Sequence, residues 1–313
     1  MRIYQSLQRT FALIAALVLA TACADSTPQA EPMDTLVTTQ WLSEHLDDPD
    51  LVVLDCTVLV EPDESGGFRS VSGRANYESG HIPSAGFADL MGDLSDGASP
   101  LQYAVPTPER FAAAMGALGV GDDSRVVLYD ASGSAWAARV WWMLRWIGFD
   151  RAALLDGGLA AWTAEGLPLS TEPADRPTRS LTPAPRPQLI ADRVEVMAAI
   201  DDDAVALIDV LPEAHYSGEM AFYARPGHIR SAANIPMQAL TDEAGRYRPL
   251  DELAALFEGE PGARYITYCG GGIAASSSAF IMTRLGFTDV AVYTASLQEW
   301  AADPANPMET GSQ

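Results

Sequence analysis

Apolar residues are grouped along this chain in two alternating patterns. Short unbroken runs recur at 51–55 (LVVLD), 125–129 (RVVLY), 152–155 (AALL), 204–209 (AVALID) and 264–268 (RYITY). They are too short for helices and do not alternate with polar residues, which is the pattern of parallel strands buried on both faces. Between them, apolar side chains fall at helical spacing: a helix opens at Pro108, capped by Thr107, and ends near 116–119, and others cover 135–147, 159–164 and 273–285, the last stopped by Gly286. Residues 61–73 (EPDESGGFRSVSG) show neither period and read as a loop. The alternation predicts an α/β protein whose parallel sheets carry helices on both faces, with sites at the C-terminal ends of the strands.

The pattern occurs twice. AVALID at 204–209 answers LVVLD at 51–55, GHIRSAANIP at 227–236 answers GHIPSAGFAD at 80–89, and RYITYC at 264–269 answers RVVLYD at 125–130. A segment from a glycine through a strand to a tryptophan also recurs, from Gly148 to Trp162 and from Gly286 to Trp300. The chain therefore divides into a signal segment at 1–22, a polar tether at 23–35 and an N-terminal domain at 36–169. A proline-rich, semi-rigid and solvated linker at 170–187, a C-terminal domain at 188–303 and a tail at 304–313 follow.

Chemistry concentrates at Cys269, where the fifth strand becomes a helix through CGGGIAA. Three glycines let the backbone curl so that the N–H groups of Gly270, Gly271, Gly272, Ile273, Ala274 and Ala275 converge on the sulfur as an anion nest. A free thiol ionises near pH ~8.5, and helix N-termini bring that to roughly 3.5–7.5. A shift of ~2 units needs ~2.7 kcal/mol, more than the ~0.3–1 kcal/mol of a helix dipole, so the amides must supply the rest. The same place in the first half is Asp130, followed by ASGSAWAAR, a carboxylate that amides can satisfy but that is no sulfur nucleophile. The first half is therefore expected to be a structural and substrate-shaping partner without the thiol.

Two α/β halves, GHIPSAG and GHIRSAANIP, the VVLYD and ITYCGGGIAA junctions and LLDGGLAAW resemble the tandem-domain rhodanese family of sulfurtransferases, which includes the thiosulfate and mercaptopyruvate enzymes. The resemblance covers 36 to about 303. It implies two similar parallel-sheet domains, the C-terminal one active, and a persulfide on the cysteine matching Cys269. A donor's sulfane sulfur would pass through it to a thiol or cyanide, with no cofactor. Thiosulfate-type loops resemble CRKG and mercaptopyruvate-type loops CGSG, whereas Gly270 and Gly271 stand here; arginines that commonly follow the matching strand are replaced by Leu211 and His215. Arg225 and Arg230, flanking His228, and then His215 and His81 become the candidates for donor binding. His81 and His228, as matched duplicates, also suit a structural role, Asp209 a loop-holding one, Cys56 that of an inert core thiol, and Trp141, Trp142 and Trp146 core packing.

Composition narrows the rest. All 19 basic residues are arginine against 42 acids, a formal net charge of −23, so nucleic acid and anionic lipid are not expected partners and lysine Schiff-base chemistry is excluded. Arg2 and Arg9 precede the apolar run 11–20, an export signal, and ATAC at 20–23 resembles a bacterial lipoprotein signal with Cys23 as the lipidated residue. The protein is thus expected in the periplasm or cell envelope, touching the membrane only through that anchor. Three cysteines and four scattered histidines make neither a disulfide framework nor a metal site. Two other readings of the loop are a persulfide-carrying docking module without turnover and a cysteine phosphatase or arsenate reductase. The latter wants arginine six residues after the cysteine, where this chain has Ala275.

Overall fold

The structure, a computed structural model, describes residues 33–63, 67–131 and 133–312; the signal segment, Cys23 and most of the tether lie outside them. The N-terminal half contains β1 (Leu36–Val37), β2 (Leu51–Asp55), β3 (Val58–Pro62), β4 (Phe68–Ser72), β5 (Gly86–Phe87), β6 (Arg125–Tyr129) and β7 (Ala152–Leu155). Its helices are α1 (Thr39–His45), α2 (Arg74–Ser79), α3 (Pro108–Ala117), α4 (Ala135–Trp146) and α5 (Gly158–Ala164). The C-terminal half contains β8 (Ile190–Ala191), β9 (Val205–Asp209), β10 (His228–Ile229), β11 (Ala233–Asn234), β12 (Arg264–Tyr268), β13 (Asp289–Tyr293) and β14 (Met308–Glu309). With them come α6 (Arg193–Ala199), α7 (Glu213–Tyr216), α8 (Leu250–Ala254), α9 (Ile273–Arg284) and α10 (Ser296–Trp300). Each half holds a five-stranded parallel sheet, ordered β1-β7-β6-β2-β5 in one and β8-β13-β12-β9-β11 in the other, so the two match strand for strand.

Strand parity decides what each sheet face meets. Leu51, Val53, Val127 and Tyr129 join Leu42 of α1 and Trp162 of α5 in a core private to the first half. Leu207, Ile266, Tyr268 and Tyr293 join Val196 of α6 and Trp300 of α10 in the corresponding core of the second. The alternate positions, Val52, Leu54, Val126 and Leu128 from one sheet and Ile208, Tyr265, Val290 and Val292 from the other, enter a single core common to both halves. Helices α4 and α9 fill it face to face, with the rings of Trp141 and Phe280 edge-on at 4.8 Å. Trp142 and Trp146 stack at 6.4 Å in the same layer, so the tryptophans pack the core as expected. Cys56 and Cys269, each one step beyond a strand, fall by parity on this common side.

The duplication extends to hydrogen bonding. Tyr77 stacks on His81 and Tyr216 on His228, with ring centroids 4.0 and 3.6 Å apart, and each histidine Nδ1 lies 2.7 or 2.8 Å from its tyrosine's carbonyl oxygen. The two tyrosine hydroxyls donate to Ala85 and Ala232 carbonyls, both at 2.7 Å.

Four segments differ from expectation. Residues 61–73 include half of an antiparallel hairpin, because β3 and β4 pair from Val58–Ser72 to Pro62–Phe68. The proline-rich stretch, exposed over most of its length, is also pinned along the first half. Prolines cannot donate, but Arg179, Ala184 and Arg186 give their N–H groups to the carbonyls of Gly116, Ile147 and Trp146 at 2.7–2.9 Å, and Leu181 is buried. Those carbonyls are the ones that the C-termini of α3 and α4 leave without intrahelical partners. The end of the tether is anchored too: Asp34 pairs with Arg284 at 2.5 Å, and Thr35 accepts the Leu154 N–H. Within 304–313, β14 pairs antiparallel with β10.

Asp209, at the end of β9, is fully buried, and desolvation pushes its carboxyl up to about 7 against the opposing hydrogen bond from the Leu211 N–H. In the unfolded chain the same group titrates near 3.8. The folded state therefore holds the proton more tightly, and this contribution to stability is complete below pH 3.8 and is lost as pH rises toward 7. Asp209→Asn removes that loss. Urea unfolding is expected to show the variant gaining about 2–4 kcal/mol on the parent between pH 4 and 8, and a gap that does not change with pH would refute the assignment.

Candidate active site

The end of β12 delivers Cys269 to the C-terminal edge of the second sheet, with three glycines between it and α9. Its main chain is stitched to the start of α10. The Cys269 N–H donates to Ser296 Oγ at 3.1 Å, the Ser296 hydroxyl donates to the Tyr293 carbonyl at 2.6 Å, and the Cys269 and Gly270 carbonyls accept from Leu297 and Gln298 at 3.1 and 3.0 Å. Cys269 is 3% exposed, and the Gly272 N–H donates to its sulfur at 3.2 Å. Gly272, the residue that caps α9, has φ +80, a left-handed conformation that a side chain would strain. Gly270 is glycine for another reason: a Cβ there would stand 1.6 Å from the hydroxyl oxygen of Tyr223.

The sister loop shows how such a junction holds an anion. Asp130 follows β6 as Cys269 follows β12, and its carbonyl accepts from Leu159 as that of Cys269 accepts from Leu297. Its Oδ1 takes the Ser134 N–H at 3.0 Å, and its Oδ2 takes those of Trp136 and Ala137 at 3.0 and 2.9 Å. Trp136 and Ala137 are the second and third residues of α4, and their counterparts in α9 are Ala274 and Ala275.

Of the six amides expected to converge on the sulfur, that of Gly272 makes the contact the structure shows, and the side chains considered from the sequence have separate work. Arg225 spends its guanidinium on four carbonyls, those of Trp300, Ala301, Asp303 and Asn306 at 2.7–3.1 Å, which makes it a bracket for the segment after α10. Arg230 pairs with Asp201 at 2.7 Å on the surface. His81 is buried in the first half with both ring nitrogens against carbonyls, of Tyr77 and Glu172. His215 is half-buried, which lowers its pKa, and its ring lies 5.0 Å from Phe222, itself stacked on Phe68 of β4 at 5.7 Å. Cys56 is fully buried, and desolvation raises its thiol well above the ordinary range. Among the described residues, no cluster of three metal-ligating side chains occurs.

Three residues at the loop were not singled out from the sequence. Tyr223 covers Gly270, and burial, followed by the charges of Cys269 and Asp209, keeps its phenol protonated far above neutrality. Gln298 exchanges two hydrogen bonds with the Gln102 backbone, at 2.9 and 3.0 Å, joining the halves beside Gly271. The repeat itself carries a signal for Tyr223. Tyrosine and the stacked histidine are four residues apart in the first half and twelve apart in the second, and the added residues contain Tyr223.

Comparison with known proteins identifies the family. A family model described as "Rhodanese-like domain" matches residues 38–165 and again 192–303. The chain is 36% identical over 288 residues to a Pseudomonas aeruginosa protein named "Probable 3-mercaptopyruvate sulfurtransferase", covering 88% of this chain and 98% of that one. It is 33% identical over 279 residues to the thiosulfate sulfurtransferase of Bos taurus, covering 85% and 91%. The crystal structure of SseA from Escherichia coli, described as a 3-mercaptopyruvate sulfotransferase with the rhodanese fold, superposes with a TM-score of 0.75 at 32% identity, covering 84% of this chain and 99% of SseA. With two matching domains and full-length relatives at this identity, the chain belongs to the rhodanese family as a tandem-domain sulfurtransferase.

Proposed function

We propose that Cys269 carries the transferred sulfur, that 3-mercaptopyruvate is the preferred donor, with thiosulfate the alternative, and that a thiol or cyanide is the acceptor. The observation that supports this most directly is the Cys269 sulfur under the N-terminus of α9, already accepting the Gly272 N–H. The thiolate attacks the donor sulfur, forming an Sγ–S bond while the C–S bond of mercaptopyruvate breaks. Its electron pair stays on carbon, which takes a proton to give pyruvate. An acceptor thiolate then attacks the outer sulfur of the persulfide, forms its own S–S bond and returns Cys269 as thiolate. The Ala274 and Ala275 amides suit the outer sulfur, since their counterparts in the sister loop hold the far oxygen of Asp130. Donor preference follows from charge. Gly270, Gly271, the neutral Tyr223 phenol and Gln298 place no cation on the mouth of the loop, which suits a single carboxylate better than the thiosulfate dianion. Export and lipidation at Cys23, with the protein held at the cell envelope, complete the proposal and rest on residues 1–23 of the sequence.

Three outcomes test it. Incubation with 3-mercaptopyruvate should add the mass of one sulfur atom to the parent and to Cys56→Ser, and none to Cys269→Ser; sulfur on the Cys269→Ser chain would move the carrier elsewhere. Gly270→Ala should lower kcat/KM by roughly 10–100-fold because Tyr223 must move. Combined with Tyr223→Ala it should cost no more than Tyr223→Ala alone, whereas simple additivity would show that the two do not meet. In a bacterial host fed labelled fatty acid, the full chain should carry label and Cys23→Ala should not; an unlabelled parent would overturn the anchor.

A further inference from the structure

In this acidic chain an arginine normally finds a carboxylate. Among the described residues thirteen do so within 4.0 Å. Arg139, the fifth residue of α4, does not, although it is the one arginine that is 0% exposed. Its Nη2 donates to the Tyr103 carbonyl at 3.0 Å, its Nη1 donates weakly to the Gly272 carbonyl at 3.4 Å, its Nε has no partner, and its guanidinium lies 4.9 Å over the Trp142 ring. A buried cation with no anion is costly, and dipoles and a ring offset only part of that cost.

The missing anion is at hand. Gly272 is the residue whose N–H meets the Cys269 sulfur, so Arg139 reaches from the half without the thiol to the loop that holds it. We infer that Arg139 is the counter-charge of the Cys269 thiolate and persulfide, a positioning residue that the first half supplies to the site of the second. This rests on the proposed role of Cys269 as sulfur carrier.

The repeat supports the assignment. Arg139 and Ser277 are each the fifth residue of their helix, and Ser277 is buried and uncharged. The cation is thus present at one of two matched positions only, the one that contacts the sulfur loop. The Asp130 loop holds a side chain fixed by the sequence, which takes backbone amides. Burial brings the Arg139 guanidinium down to about 10, with the Cys269 charge acting in the opposite direction, so it stays protonated at neutral pH. A full charge in a desolvated core is screened far less than one in water. It also accounts for a loop made of neutral glycines: the positive charge comes from behind the loop and leaves its mouth free.

The test is the pH profile of Cys269 alkylation by iodoacetamide, read by mass on the full chain, with folding checked by circular dichroism. Arg139→Met and Arg139→Gln remove the charge, the second keeping a donor for the two carbonyls; Arg139→Lys keeps the charge. Both neutral variants should show profiles displaced to higher pH, with alkylation at pH 6 slowed about tenfold or more, and the lysine variant should stay close to the parent. A folded Arg139→Gln chain with the parent's profile, or a lysine variant displaced as far as the neutral ones, would reduce Arg139 to a tie between carbonyls. If Arg139→Met does not fold, Arg139→Gln decides. A parent that accepts no sulfur from 3-mercaptopyruvate or thiosulfate would instead remove the carrier role of Cys269, whereas normal sulfur loading with unmoved profiles would remove the inference about Arg139 alone.

Discussion

A parallel strand covered on both faces must send neighbouring side chains in opposite directions, and the organisation of this protein follows from that constraint. In each sheet one set of side chains closes over a core of its own, with α1 and α5 or with α6 and α10. The other set joins a core common to both halves, which α4 and α9 fill. Cys269 lies one step past Tyr268, a residue of the private core, and so on the common side. That is why the first half, which carries Asp130 in place of a thiol at the matching strand end, adjoins the thiol of the second.

The two strand–helix junctions are variations on one device. Each turns the chain through a left-handed residue, Ser134 or Gly272, and sets an acceptor beneath the first turn of a helix. In one, a carboxylate consumes the amides permanently. In the other, a sulfur takes the amide of Gly272. The difference between a structural loop and a reactive one is whether the anion is fixed by the sequence or made by chemistry. The surroundings agree: Arg139 faces the sulfur loop, and its counterpart Ser277 is uncharged.

The strands, the helices from Thr107 onward, the repeat and the junction at Cys269 were legible from the sequence, because each depends on neighbours only a few residues away. A helix cap, an apolar run and a glycine triplet act locally. The hairpin β3–β4 was not legible, since its strands carry charged and exposed residues and pair with each other rather than with a core. The linker reads as semi-rigid and solvated and is exposed over most of its length, but its proline content hides what Arg179, Ala184 and Arg186 do, which is to satisfy carbonyls at the ends of α3 and α4. By sequence Arg225 stands available near His228, but the segment 300–306 returns from far along the chain to occupy it.

The sequence by itself therefore determined the fold class, the duplication, the one reactive thiol of the pair of junctions, and the neutrality of the glycine loop. Tertiary structure alone decided which side chains meet that loop. Tyr223 comes from an insertion in the second half, Gln102 and Arg139 from the first, and all are distant in the chain from Cys269. Local propensity reaches about one helical turn along the chain, whereas charge and van der Waals contact act across space. A site assembled where two sheets share a core is set by which faces are turned together.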